Sequence, residues 1–169
     1  MNKKFIIIFI LIILLILFFS LQQNNNLAVH FLDIGQGDAI LIRTPDGQNI
    51  LIDGGADNLL LSQVAEYLPW WERTIDYVVI SHYHADHMMG LPALLDKYKV
   101  KNILVTSHQP DDFLYQVWQE KLTQHNLVPQ ITNRGEQFII SNNLSWQVLS
   151  ADSYHEDYNN NSLVMKLSY

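Results

Sequence analysis

Three histidines and one aspartate lie within six residues of this chain, immediately after the apolar run Val78–Ile80. They are His82, His84, Asp86 and His87. Imidazole and carboxylate groups are costly to bury without partners, and neutral imidazole is the commonest metal ligand in proteins. The pattern therefore predicts a metal site, with a histidine-rich surface loop as the alternative interpretation.

The spacing of these side chains indicates two divalent ions rather than one. In an extended segment residues i and i+2 point the same way, so His82 and His84 are expected to bind one ion. Asp86 and His87 follow and are expected to bind a second ion, with Gly90 letting the segment turn. Two ions about 3.5–4 Å apart lower the pKa of bound water and hold an attacking and a leaving oxygen. Imidazole and carboxylate without thiolate suit Zn²⁺ first, and also Mn²⁺ or Fe²⁺.

The composition limits what else the chain does. Its 169 residues are enough for one domain, and it has no cysteine and a formal net charge of −7. Without cysteine it has neither disulfides nor thiolate metal ligands. An acidic chain is a poor nonspecific binder of nucleic acid, so a polyanionic substrate would have to be attracted by metal ions rather than by lysines.

Residues 1–21 predict a membrane anchor or a signal peptide. Lys3 and Lys4 precede the unbroken apolar run Phe5–Phe19, which no small-x-small cleavage site follows. This favours an uncleaved anchor with the N-terminus in the cytoplasm and the remainder outside the cell membrane, whereas cleavage would give a secreted protein. Residues 22–26 predict a polar linker, and residues 27–169 a single domain.

The remaining pattern predicts a mixed sheet covered by helices, an α/β or α+β sandwich. Residues 38–53 predict a hairpin with a turn at Pro45–Gln48, and residues 74–80 predict a buried strand that leads into the histidines. Further helices are expected at 58–68, 91–98 and 111–126, and further strands at 27–33, 102–106, 128–131, 137–140, 144–149 and 163–167. Trp70 and Trp71 are interpreted as a packing corner or an interface patch.

Three segments resemble those of a known superfamily. The order His-x-His-x-Asp-His at residues 82–87, after an apolar strand, resembles the signature of the metallo-β-lactamase fold superfamily. Leu51–Gly55 resembles the first motif of that superfamily. Phe31–Ala39 and residues 159–164 are similar to the hydrolase domain of the DNA-uptake competence protein ComEC and its stand-alone relatives.

The resemblance implies an αββα sandwich and a metal-dependent hydrolase that uses a metal-activated water. For the ComEC-like branch it implies a phosphodiester or other small ester as substrate, with nucleic acid included. It assigns His82 and His84 to a first metal ion, and Asp86 and His87 to a second. Asp86 would also hold the bridging water or accept a proton from it.

The resemblance also assigns outer positions. Asp53 would fix the tautomer of a metal-binding imidazole, with a turn-capping aspartate as the alternative. Gln36 and Asp38 are expected either to line the pocket or to shape a glycine-rich turn. His155 is a candidate metal ligand, with a solvated loop histidine as the alternative.

The chain holds the first half to two-thirds of the superfamily's pattern. A later metal-bridging aspartate and a further histidine have no counterpart before Tyr169. Two protein ligands per ion are few, since catalytic zinc usually has three. Two interpretations stay open. Either the sequence is part of a longer anchored hydrolase or needs a second chain, or it is a truncated or inactive membrane-tethered binding module.

Overall fold

The computed structural model describes residues 3–21, 26–141, 143–151 and 158–169. The helices are α1 (Lys3–Leu21), α2 (Leu59–Tyr67), α3 (Ala85–Met88), α4 (Leu91–Leu95) and α5 (Phe113–Gln124). The strands are β1 (Ala28–Phe31), β2 (Ile40–Arg43), β3 (Asn49–Ile52), β4 (Thr74–Val79), β5 (Lys99–Val105), β6 (Gln130–Ile131), β7 (Gln137–Ser141), β8 (Leu144–Ser150) and β9 (Val164–Ser168).

Six strands form the larger sheet, in the order β1-β2-β3-β4-β5-β6. The first three are antiparallel neighbours, and β3 to β6 run parallel. The predicted hairpin is confirmed: Arg43 pairs with Asn49, and Gly47 takes a φ of 80° in the turn between them. A positive φ costs glycine little, which explains why the turn forms at this place.

Alternate residues of the central strands face two separate cores. Leu41, Leu51 and Val78 pack with helices α2, α4 and α5, around the fully buried Trp118. The residues next to them in the strands face the smaller sheet β7-β8-β9, around the buried Trp146. The predicted mixed α/β sandwich is confirmed. In the described ranges its layers are helix, sheet and sheet, and the outer helix layer expected beyond β7-β9 is not among them.

The sequence pattern indicates Asn58 as the cap of the helix at 58–68, and Asp111–Asp112 as the start of the helix at 111–126. Asp112 lies at the start of α5 as expected, and it caps the helix, because its Oδ1 accepts a hydrogen bond from the backbone N–H of Tyr115 at 2.8 Å. Asn58 occupies the N-cap of α2, but its side chain makes no cap bond. Asp57 supplies the acceptor instead, with its Oδ1 2.8 Å from the N–H of Leu59. One carboxylate therefore replaces the amide that the sequence pattern indicated.

Helix α1 spans Lys3–Leu21, and its described apolar side chains are exposed. Across the described ranges, no helix has the length and apolar content that a membrane crossing requires. This finding does not show the membrane helix predicted at residues 1–21, which stays a prediction. The apolar run Phe5–Phe19 has 15 residues, fewer than the about 20 of a typical spanning helix. Residues 22–25 of the predicted linker lie outside the described residues.

Candidate metal centre

The carboxyl ends of β3 and β4 lie side by side and create the site. Asp53 follows β3, and Ser81 follows Ile80 at the end of β4. Parallel pairing continues past both strands, because Asp53 donates its backbone N–H to the carbonyl of Val79 at 2.9 Å and Ile80 donates to Leu104 at 3.0 Å. Loops at this edge of a parallel sheet commonly carry functional groups.

The histidine segment is extended only as far as His84. His84 is the N-cap of α3, with φ −70° and ψ 149°, and Asp86 and His87 lie in the first turn of that helix. The N–H of His87 donates to the carbonyl of His84 at 3.0 Å. The expectation of one extended loop is thus wrong beyond His84. The helical turn, anchored by the fully buried Met88, brings His87 back beside His82, with ring centroids 4.1 Å apart.

The structure brings all four predicted ligands together. His82 Nε2 lies 3.1 Å from His84 Nδ1, and His87 Nε2 lies 3.9 Å from Asp86 Oδ1. Two nitrogens bound to one tetrahedral ion at about 2.0–2.1 Å are roughly 3.3 Å apart, so the first pair is close to the spacing that a shared Zn²⁺ requires. The donor types and the spacing of this pair fit a divalent cation.

Asp53 is buried at the base of this cluster. Its Oδ1 accepts the backbone N–H of Ser81 at 2.7 Å, and its Oδ2 accepts the Ser81 hydroxyl at 2.6 Å and lies 3.0 Å from His87 Nδ1. Its φ of 58° is left-handed, which few non-glycine residues adopt. Asp53 thus shapes the turn before Gly54 and contacts His87, and its role toward a metal-binding imidazole stays a prediction.

Burial and hydrogen bonding shift the pKa values of the buried His82 and the half-buried His87 in opposite directions. Burial, and secondarily the neighbouring His87, lower the pKa of His82, which favours its neutral form. The hydrogen bond to Asp53 is the main cause of a raised pKa for His87. A carboxylate is an acceptor only, so we assign the Nδ1 proton of His87 to this bond, which leaves Nε2 toward Asp86. His82 is therefore prepared to offer a nitrogen lone pair to a cation, whereas His87 must first lose the Nε2 proton that its raised pKa favours.

Ser81 is a site residue that sequence reasoning did not identify. Besides its two bonds to Asp53, its hydroxyl lies 3.0 Å from His82 Nδ1. Its carbonyl accepts the N–H of Leu163 at 2.7 Å, just before β9. Ser81 therefore links Asp53, His82 and the smaller sheet. The sequence feature that could have identified Ser81 is its hydroxyl, placed between a buried strand and the first histidine.

Gln36 and Asp38 lie in a glycine-rich turn that packs against α3. Gln36 is exposed, and the carbonyl of Asp38 accepts the N–H of Gly55 at 3.1 Å. The Asp38 side chain is exposed, and its carboxylate is the smallest of the causes that raise the pKa of His87. Gly37, with φ 85°, brings the turn against the backbone of Asp86, where a Cβ would overlap the carbonyl oxygen. Gln36 and Asp38 both lie in the turn, and their place in a substrate pocket stays a prediction.

Gly37→Ala is expected to destabilise the protein far more than Gly35→Ala. Both glycines have a left-handed φ, so each substitution costs about 1–2 kcal/mol in backbone strain. A Cβ at Gly35 has no atom within 4 Å, whereas one at Gly37 meets the backbone of Asp86. This overlap is expected to lower the free energy of unfolding of Gly37→Ala by a further about 1–3 kcal/mol. Urea denaturation measures the free energy of unfolding of both variants. Equal decreases would show that the turn does not pack closely against α3.

Gly90 was expected to let the segment turn, but its backbone conformation does not require a glycine. Its φ of −76° and ψ of −20° are ordinary for any residue. A Cβ there would instead overlap the carbonyl oxygen of Gly54 and lie 2.7 Å from that of Asp57. Gly90 is required by close approach of α4 to the loop that follows Asp53.

Fewer side chains are arranged around a single ion than the three that a catalytic zinc site usually has. Counting only the described residues, no group of three or more histidine, aspartate or glutamate side chains is arranged to hold one ion. The donors instead occur as the pairs His82–His84 and Asp86–His87. The candidate ligand His155 lies outside the described residues. Its role, like those of the four converging side chains, stays a prediction.

Several known proteins are similar to this chain. Ribonuclease Z of Clostridium kluyveri is 38% identical over 55 residues, which cover 32% of this chain and 17% of that protein. The metallo-β-lactamase fold protein YhfI of Bacillus subtilis has a TM-score of 0.56 at 17% identity, covering 84% of this chain and 57% of its own. A flavo di-iron protein of Thermotoga maritima has a TM-score of 0.56 at 18% identity, covering 78% and 31%. The structural likeness shows a shared fold.

The flavo di-iron protein is a protein of this fold that holds iron. The matches span less than two-thirds of each relative's own length. The resemblance to ComEC stays a prediction, since the comparisons support the broader family. The sequence profile described as Metallo-beta-lactamase superfamily matches residues 32–148, more than half of the chain, and the chain belongs to that superfamily.

Proposed function

We propose that this protein is a metal-dependent hydrolase that acts on phosphodiester bonds, nucleic acid included. One observation carries the proposal: three imidazoles and two carboxylates converge at the edge where β3 and β4 end, with His82 Nε2 and His84 Nδ1 3.1 Å apart. Membership of the metallo-β-lactamase superfamily and the local similarity to ribonuclease Z support this reaction class.

Two divalent ions are proposed at this edge, Zn²⁺ first and Mn²⁺ or Fe²⁺ as alternatives. His82 and His84 would hold one ion, and Asp86 and His87 the other. When bound, such ions supply Lewis acidity and lower the pKa of water toward neutrality. The four side chains are held by α3 and by the end of β4, so their positions do not depend on the ions alone.

The surrounding residues have separate tasks in this proposal. Asp53 keeps the Nδ1 proton of His87 in place, and Ser81 connects Asp53 to His82. The Asp86 side chain is 35% exposed, so its carboxylate is accessible to accept a proton from water. Asp86 is therefore proposed as the catalytic base, in addition to its role as a ligand.

The phosphodiester substrate is proposed to be attracted by bound divalent ions rather than by a lysine-rich surface. The chain has a net charge of −7, and Asp53 and Asp86 lie at the site. A phosphodiester would meet repulsion there without cations, and attraction once two divalent ions are bound. A ComEC-like activity on nucleic acid is consistent with this balance, because the metal ions would supply the positive charge.

Helix α1 is proposed to attach the domain to a membrane. The described side chains of Phe5–Leu15 are all exposed, and a helix that is apolar on every side is not stable in water alone. Lys3 and Lys4 at its start favour a cytoplasmic N-terminus, with the domain outside the cell membrane. Partition of the full chain between membrane and soluble fractions, with protease protection of each end, tests this attachment.

Removal and return of metal tests the hydrolase proposal. After dialysis against EDTA, the full chain is expected to lose hydrolysis of bis-p-nitrophenyl phosphate. Addition of Zn²⁺ or Mn²⁺ is expected to restore it, because the donor pairs need an ion to lower the pKa of water. Isothermal titration with Zn²⁺ measures the stoichiometry independently of activity, and two ions per chain are expected.

Two outcomes would contradict the proposal. A chain that binds no Zn²⁺ or Mn²⁺ at millimolar concentration would exclude the metal centre. A chain that binds both ions but hydrolyses no phosphodiester would favour the alternative of an inactive binding module of the same fold. The second outcome is a real alternative because the described donors come in pairs rather than in threes.

A further inference from the structure

Trp70 and Trp71 are exposed at the tip of a tight turn. The turn is closed by a hydrogen bond from the N–H of Glu72 to the carbonyl of Pro69 at 2.8 Å. The two indoles, 78% and 60% exposed, meet edge to face with centroids 5.5 Å apart. The other two tryptophans, Trp118 and Trp146, are fully buried. The expectation of a packing corner is therefore wrong for this pair, and the interface patch remains.

This turn lies at the end of the larger sheet where the domain begins. Arg43, paired with Ala28 at the start of β1, donates from Nη1 to the carbonyl of Tyr67 at 3.3 Å. The ring of Tyr67 stacks on His30 of β1 with centroids 4.2 Å apart. Trp70 follows Tyr67 by three residues. The exposed indoles and the N-terminal end of β1 thus belong to one surface.

The connection to α1 is short. Six residues, 22–27, separate Leu21 from Ala28. Even a fully extended chain over this distance spans at most about 25 Å. If α1 is in a membrane, the end of the sheet that carries Trp70 and Trp71 must stay within this distance of the end of α1.

The cationic side chains are concentrated at the same end. Eight lysines and arginines follow α1, and five of them lie here: Arg43, Arg73, Lys97, Lys99 and Lys101. Lys101 pairs with Asp76 at 2.7 Å, and Asp46, Glu66 and Glu72 also lie in this region. The surface is therefore close to neutral, in a chain of net charge −7. A surface close to neutral meets little repulsion from anionic lipid, and exposed Arg73 and Lys99 can meet lipid phosphates.

We infer that the turn Pro69–Glu72, with Arg73 and Lys99 beside it, forms a docking surface for an anionic phospholipid bilayer. Indoles combine an apolar body with an N–H donor, which suits the boundary between headgroups and acyl chains. This inference rests on the proposed membrane attachment of α1. It adds that the domain itself touches the bilayer and has a defined orientation on it.

The orientation has a consequence for the metal centre. Trp71 precedes β4 and Ser81 follows it, so the two ends are separated by a six-residue strand of about 20 Å. The histidine cluster, with Asp33, Asp38 and Asp57 around the same sheet end, then faces away from the bilayer. A polyanionic substrate would reach the site without approaching the anionic lipid.

Quenching of tryptophan fluorescence by brominated lipid tests this surface. The full chain is reconstituted in vesicles of phosphatidylcholine and phosphatidylglycerol with brominated acyl chains. About half of the emission is expected to be quenched, because two of four tryptophans are exposed. The double variant W70S/W71S is expected to lose this quenching and to keep the emission of Trp118 and Trp146. Phe113→Ser, which removes an equally exposed aromatic at the other end of the domain, is the matched control and is expected to keep it.

Charge reversal gives a second measurement. R73E/K99E is expected to reduce the quenched fraction at least twofold, and R134E/K166E, two exposed cations elsewhere, is expected not to. Vesicles that carry the protein without quenching would overturn the docking surface while leaving the attachment of α1 intact. Failure to co-sediment would overturn both. A dimer in detergent that W70S/W71S dissociates would assign the indoles to a second copy of the chain instead.

Discussion

Replacing both His84 and Asp86 with alanine is expected to abolish metal binding and phosphodiester hydrolysis together. The substitutions remove one donor from each pair, so neither His82 nor His87 keeps a partner for an ion. Loss of an outer partner alone weakens metal binding by roughly 10–100-fold, and loss of direct ligands must exceed that. Titration with Zn²⁺ and turnover of bis-p-nitrophenyl phosphate measure the two effects.

The chain offers a matched control for this pair. His125 and Asp96 also form a histidine–aspartate contact, with His125 Nε2 3.1 Å from Asp96 Oδ1, but they lie on the surface near Lys121. H125A/D96A is expected to leave Zn²⁺ stoichiometry and turnover unchanged. Hydrolysis that survives in H84A/D86A would show that the four converging side chains are not the metal centre.

Asp53→Asn is expected to have the next largest effect. The carboxylate accepts bonds from the Ser81 N–H, the Ser81 hydroxyl and His87 Nδ1, and an amide has one fewer acceptor oxygen. The charge that raises the pKa of His87 is also lost, so the proton at Nδ1 is no longer held toward position 53. We expect roughly 10–100-fold weaker binding of Zn²⁺ and about 2 kcal/mol lower stability.

Asp76→Asn is the control that distinguishes weaker Zn²⁺ binding from lower stability. It is a buried aspartate at the opposite end of the same sheet, where it accepts the N–H of Asn49 at 2.8 Å and pairs with Lys101. Asp76→Asn is expected to reduce stability by a similar amount in urea denaturation without altering the affinity for Zn²⁺. Equal Zn²⁺ affinities in the two variants would mean that Asp53 has a structural role only.

Local chemistry explains why much of the fold was predictable. Pro45–Gln48 contains the residues that a tight turn requires, and the flanking β-formers pair as the expected hairpin. Asp112 is a good N-cap whose acceptor lies three residues from its donor. Such features depend on neighbours in sequence. The bounds of α4 and β5 were less accurate, because they are set by packing against other elements.

Contacts between distant segments explain what the sequence did not predict. Ser81 is 28 residues from Asp53, and only the parallel pairing of β3 and β4 brings them together. Gly90 has an ordinary φ, so no local signal marks it, yet it touches the loop after Asp53. The residues 82–87 suggested an extended segment, and burial of Met88 favours a helical turn from Ala85 instead.

The sequence by itself determined the donor types, the superfamily motifs and the alternation of strands and helices, because these follow from residue chemistry and short-range periodicity. The tertiary structure decided that His87 turns back onto His82, that Asp53 anchors it, and that Trp70 and Trp71 are exposed at the end opposite the histidines. The physical reason is that these arrangements depend on which strand ends are adjacent. Adjacency is set by sheet pairing and core packing over tens of residues, which no local pattern specifies.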